Sequence, residues 1–158
     1  MPAAFRIEHR LGIPAPASVI WQALTDLESW ATWNPLYTRA DGVLRIGQPL
    51  SVLEQLPGRD SVGVTYTVVD WVPDNQLLLQ AKESAGFVRR VRYIEIEKLT
   101  DTSSIFSNGE DWWGRLARWV PRSRRRALRQ GFEAMSHALS ERTMLLWKQQ
   151  GGTPTSGT

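Results

Sequence analysis

Four polar side chains fall on faces that the sequence otherwise makes apolar, and any chemistry would start from them. Phe5, Ile7, His9, Leu11 and Ile13 alternate with Arg6, Glu8, Arg10 and Gly12, the period of a half-buried strand, so His9 takes the inner face. Between Phe87 and Leu99, Ile94 and Ile96 draw Arg90 and Arg92 inward with them, and in the next strand Phe106, Asn108, Glu110 and Trp112 share one face. An uncompensated charge in such a place costs several kcal/mol, so His9, Arg92, Asn108 and Glu110 must be paired or wet. Two arrangements satisfy this. Arg92 and Glu110 pair across neighbouring antiparallel strands while His9 bonds locally, or the same groups line one end of a cavity and hold the polar end of an otherwise apolar ligand. In the second arrangement His9 or Glu110 is also a candidate acid/base.

What must position these groups is a long helix. From Pro121 to Gln150, Leu128, Phe132, Met135, Leu139, Thr143 and Leu146 recur at steps of three and four, with Arg124, Arg125, Arg129, Glu133, His137 and Gln149 opposite. Pro121 and Ser123 offer a start and Gly151-Gly152 a stop. At 1.5 Å per residue such a helix is roughly 40 Å long and needs a large apolar partner. The middle of the chain supplies one. Asp41-Gly42, Gly47-Gln48, Pro57-Gly58, Pro73-Asp-Asn, Ser84-Ala-Gly and Thr100-Asp-Thr punctuate Leu36 to Gly114 into about six strands with short turns, an antiparallel meander. Its predicted inner residues include Leu50, Val52, Leu56, Val62, Val64, Tyr66, Val68, Leu77, Leu79 and Ala81. Before it, Pro14-Ala-Pro-Ala breaks the first strand, and Val19 to Leu27 mark a short helix. Thr25 and Glu28 have capping-box spacing for a second helix that Pro35 ends.

Composition narrows the function. The 158 residues, 42% of them hydrophobic, fit one domain over residues 1–150, with a Gly/Thr/Ser/Pro tail at 151–158 expected to be disordered. Zero cysteines exclude disulfides, thiolate metal sites and cysteine nucleophiles. The N-terminus lacks the layout of a signal peptide and no apolar run spans a bilayer, which predicts a cytoplasmic protein. With two histidines and scattered carboxylates there is no metal-ligand spacing, so no metal and no other cofactor is expected. There is no phosphate loop, nucleophile elbow or basic-aromatic RNA motif, so no nucleic acid is expected either.

The net charge of +3 conceals an asymmetry: from Arg115 to Gln150 nine Arg/Lys stand against two Asp/Glu, giving +7. Arg115, Arg118, Arg122, Arg124, Arg125 and Arg126, beside Trp112, Trp113 and Trp119, are either a solvated helix face or a surface for anionic membrane or an acidic partner. Trp21, Trp30 and Trp33 pack helices on the sheet rim, or Trp30 and Trp33 guard a pocket mouth. Gly131, costly inside a helix, marks close packing or a flexible point near a portal.

In sequence order, Ile13-Pro-Ala, Val19, Trp21, Leu24, Asp26, Trp30 and Trp33-Asn34-Pro35, then Gly42, Gly47 and Leu50, then Glu110-Asp-Trp112-Trp-Gly114, then Gly131-Phe132, Met135 and Ala138-Leu139 resemble the START-like, helix-grip superfamily, particularly its polyketide cyclase/dehydrase-like (SRPBCC) members. The resemblance runs over nearly the whole chain. It implies an α+β helix-grip fold: a curved antiparallel sheet of about seven strands wrapped around the long C-terminal helix, with two short helices after the first strand. It also implies a deep cavity between sheet and helix. The function expected is binding, or transport, of a hydrophobic small molecule or lipid there, with His9, Trp33, Tyr66, Leu79, Arg92, Asn108, Glu110, Trp112, Phe132, Met135 and Leu139 as ligand-binding candidates. The alternatives are a cyclase/dehydratase-type enzyme using the same cavity, and an adaptor docking through the arginine-rich helix start.

Overall fold

The computed structural model describes residues 2–153. Strand β1 (Phe5–Ile13) is followed by α1 (Ala17–Thr25), a 3-10 turn at Leu27–Ser29 and α2 (Trp30–Trp33). Six strands come next, β2 (Tyr37–Gly42), β3 (Pro49–Glu54), β4 (Val62–Val72), β5 (Gln76–Glu83), β6 (Val88–Thr100) and β7 (Ser103–Trp113), before α3 (Arg122–Gln149). They make one antiparallel sheet in the order β1-β7-β6-β5-β4-β3-β2, so the meander closes on its far side against β1. This is the helix-grip architecture. No helix among the described residues is long and apolar enough to cross a membrane.

α3 buries the predicted stripe: Leu128, Phe132, Met135, Leu139 and Thr143 are inaccessible, and Leu146 is half-buried. The helix starts after Pro121, but Ser123 does not cap it; its hydroxyl accepts from Arg59 instead. It stops where Gly151 turns left-handed (φ 82°), which lets the Gly151 and Gly152 amides reach the carbonyls of Lys148 and Trp147. The remainder of the expected disordered tail, Pro154 to Thr158, lies outside the described residues. Gly131 is a close-packing glycine. A Cβ there would stand 2.9 Å from Leu36 Cδ1 and 3.4 Å from Leu56 Cδ2.

Local expectations fail in two further places for identifiable reasons. Thr25 forms no capping box, because its hydroxyl donates to the Trp21 carbonyl one turn back in its own helix, at 2.8 Å. Val62, predicted to face inward, is 57% exposed: it pairs with Glu54 at the end of the β3–β4 ladder, where its side chain forms the wall of a cleft. Pro35 ends α2 as expected, with Asn34 extended (φ −87°, ψ 109°) and its side-chain oxygen taking the amides of Leu36 and Tyr37.

Candidate active site and ligand cleft

Two arginines of β6, Arg90 and Arg92, point under α3, and both are fully buried. Alternation puts them there; what differs is how each charge is met. Arg90 is surrounded by carboxylates. Its Nε and Nη2 donate to Glu110, Nη2 also donates to Glu54 at 2.7 Å, and Nη1 donates to Glu83 at 2.7 Å. Its guanidinium lies between the rings of Trp112 and Tyr66, 4.8 and 5.8 Å from their centroids. Arg124, from the first turn of α3, completes the cluster by donating to both Glu83 oxygens while resting 4.9 Å from the Trp112 ring.

Arg92 meets mostly neutral acceptors: Tyr37 Oη at 2.9 Å, the carbonyls of Gly109 and Tyr93 at 2.8 and 3.3 Å, the Asn108 side-chain oxygen, and Met135 Sδ. Phe132 and Tyr37 flank it, at 4.4 and 5.7 Å. Asn108 then donates to the Phe132 carbonyl at 2.9 Å, tying β7 to the backbone of α3. The expected Arg92–Glu110 ion pair is therefore replaced. The two residues are register partners, as predicted, but the Arg90 side chain reaches diagonally to claim Glu110 while Arg92 is held by Tyr37 and Asn108.

Burial pushes the Glu110 carboxyl up, and the opposing pull of Arg90 does not overcome it. Burial also acts on Glu83, but there Arg90 and Arg124 together prevail and hold it below its ordinary value. Burial raises the Tyr66 phenol as well. Tyr66 Oη and Trp112 Nε1 are buried polar atoms with no hydrogen-bond partner among the described residues, and both rings flank Arg90. Tyr66→Phe is expected to leave stability unchanged or raise it by up to about 1 kcal/mol, since it removes an unsatisfied hydroxyl. Urea midpoints check this, and a clear loss would mean that the hydroxyl is engaged.

The cluster opens onto a cleft of about 750 Å³. Leu56, Val62, Gly63 and Val64 make an apolar wall; Glu54, Glu83, Arg90 and Arg124 make a charged floor. Arg59, Asp60 and Lys82 stand among the other lining residues. Arg90, Glu54 and Glu83 were not among the residues singled out as a site from sequence, and Arg124 was expected only as part of the basic docking surface.

The predicted ligand residues fall elsewhere. Tyr66, Leu79, Arg92, Asn108, Glu110, Trp112, Phe132, Met135 and Leu139 are packed together at 0–1% exposure and fill the space between sheet and helix. Trp33 is half-buried on α2, its indole nitrogen bonded to Ser29 Oγ at 3.0 Å, and Trp30 is fully buried with its indole on the Leu24 carbonyl. His9 lies on β1, at the sheet edge, 5.7 Å from the ring of His137. None of these lines the cleft; Glu110 and Tyr66 approach it through Arg90.

The basic segment divides likewise. Arg124 is held by Glu83, and Arg125 donates to the carbonyls of Val120 and Arg118 and covers the Phe5 ring at 4.0 Å. Only Arg115, Arg118, Arg122 and Arg126 of the six remain exposed, beside a Trp119 that is 70% exposed.

Comparison with known proteins agrees with this architecture. The Zhui aromatase/cyclase from Streptomyces sp. R1128 superposes with a TM-score of 0.74 at 17% identity, over 94% of this chain and 99% of that one. A START superfamily protein from Mycobacterium smegmatis gives 0.71 at 18%, over 89% and 98%. Norcoclaurine synthase from Thalictrum flavum, in complex with dopamine and hydroxybenzaldehyde, gives 0.67 at 15%, over 89% and 87%. A search of curated proteins finds no match. The family model described as "polyketide cyclase / dehydrase and lipid transport" matches residues 4–142, and this establishes that the chain belongs to that family.

Proposed function

We propose that the protein binds a small molecule with an apolar body and a polar end, the body against Leu56, Val62 and Val64 and the end at the Arg90 cluster. The observation that carries this reading is the pairing of an aliphatic wall with a charged floor whose flanking rings hold two unpartnered polar atoms, Tyr66 Oη and Trp112 Nε1. Burial of the apolar body would supply affinity at roughly 25 cal/mol per Å² before the costs of association. The floor would supply orientation. The family description names lipid transport and polyketide cyclisation, and the norcoclaurine synthase structure holds two small aromatic molecules; both fit a ligand of this shape.

Catalysis of cyclase/dehydratase type is the second reading, and the raised carboxyl of Glu110 favours it. A carboxyl that burial makes hold its proton more tightly can deliver that proton to a bound carbonyl. Glu110 is fully buried behind Arg90, however, so a substrate would reach it only if that guanidinium moved aside. His9, the other acid/base candidate, faces α3 at the sheet edge, away from the cleft. Simple binding asks less of the structure.

Two measurements test the proposal. Native mass spectrometry of the purified protein looks for a co-purifying small molecule. Titration with anilinonaphthalene sulfonate, an aromatic body with one anionic end, is expected to show a single saturable site that Val64→Asp weakens roughly tenfold or more by charging the apolar wall. Absence of any saturable site, together with an empty mass spectrum, would overturn the binding reading. Turnover of a ketone or polyketide substrate that Glu110→Gln abolishes while binding persists would favour the enzyme.

A further inference from the structure

The only two histidines of the chain, His9 and His137, meet on the side of the molecule where β1 forms the sheet edge. Their rings are 5.7 Å apart and tilted by 51°. Glu133 stands one helical turn before His137, so both side chains leave α3 on the same face. One nitrogen from each imidazole and a Glu133 carboxylate oxygen all lie within 4.8 Å of one another. Independently, His9 Nδ1 is buried and has no hydrogen-bond partner among the described residues. An imidazole nitrogen shielded from water and unpaired carries a desolvation cost, which a metal ion bound through that nitrogen would remove.

We propose that His9, Glu133 and His137 form a binding site for a divalent transition-metal ion, zinc foremost. Two imidazoles and one carboxylate suit zinc and its first-row neighbours, whereas magnesium and calcium call for more oxygen ligands. Around a tetrahedral ion with bonds near 2.0–2.1 Å, ligand atoms sit roughly 3.4 Å apart. The set must therefore contract slightly, and Glu133 and His137, both exposed, are free to rotate and do so. The scaffold behind them is rigid. His9 is paired in register with Asn108, and Asn108 donates to the carbonyl of Phe132, the residue preceding Glu133. Three protein ligands leave the fourth position to water or to a small ligand from solvent. The ion would clasp the edge strand β1 to α3, and the site shares no residue with the cleft.

The test uses the full chain without a histidine tag, stripped with chelator and titrated with zinc alone by calorimetry, with cobalt absorption as the geometric readout. Expected are one ion per chain and a melting temperature that rises with zinc and not with magnesium, since an ion bound only by the folded state stabilises it by mass action. Glu133→Gln and His137→Ala should each weaken zinc by on the order of 10–100-fold or more, as the loss of a direct ligand costs at least what loss of an outer partner does. Both positions are exposed, so the metal-free variants should melt like the parent; His9→Ala, at a half-buried position, is the third arm. No saturable zinc binding at millimolar concentration, or unchanged binding in the Glu133 and His137 variants, would overturn the site and leave a tilted imidazole pair. Cleft binding of anilinonaphthalene sulfonate should be the same in His137→Ala as in the parent, so failure of either site is read separately.

Discussion

Arg90→Met is expected to destabilise the protein by roughly 3–5 kcal/mol, because it leaves buried carboxylates without their common partner. The methionine fills much of the space, so the loss reports the charge and not a cavity. Glu110 and Glu54 are 0% and 3% exposed, and Arg90 is their hydrogen-bonded cation. Adding Glu110→Gln to the variant should recover part of the loss, giving a coupling of about 0.5–3 kcal/mol in a double-mutant cycle. The deficit should also depend on pH. Glu110 has its folded-state pKa raised, so its contribution is present below the ordinary carboxylate range and is lost as pH rises through the elevated value. Removing Arg90 raises that value further, so the variant should fall furthest behind the parent near neutrality and recover some ground in acid. Urea titrations at several pH values measure both effects. Losses that simply add would mean that Arg90 and Glu110 are not coupled, against the bidentate contact between them.

Leu139→Asp is expected to cost about 4 kcal/mol or more, since it sets a charge at a fully buried position of the stripe on α3. The same change at Phe132 should be milder. The Arg92 guanidinium lies 4.4 Å from the Phe132 ring, so in Phe132→Asp the new carboxylate would find a cation within reach. The comparison is therefore sharper than either variant alone. Thermal or urea unfolding of the pair decides it. Parent-like melting of Leu139→Asp would remove α3 from the core, and equal losses at both positions would argue that Arg92 is too firmly held by Tyr37, Asn108 and the Gly109 carbonyl to reorient.

How much of this was legible beforehand follows from the range of each interaction. Alternation in β1, β6 and β7 and the three-four stripe of α3 are local periodicities, and they determined the buried helix face and the inward direction of Arg90, Arg92, Asn108 and Glu110. The same parity carries Glu54 in line with Leu50, Val52 and Leu56, and Glu83 in line with Leu77, Leu79 and Ala81, so the carboxylates of the cluster were visible as inner residues once their charge was not taken as a reason to pass over them. Partner choice was not visible. A guanidinium is long enough to reach past its register neighbour, so whether Glu110 goes to Arg90 or to Arg92 depends on where Tyr37, Asn108 and Met135 arrive from three other elements. Nor could spacing reveal that His9 and His137, near opposite ends of the chain, share one site, because that contact exists only once β1 closes the sheet beside α3. The filled centre and the displaced cleft have the same origin: side-chain volume summed over sheet and helix decides where space is left, and that sum is a property of the packed molecule alone.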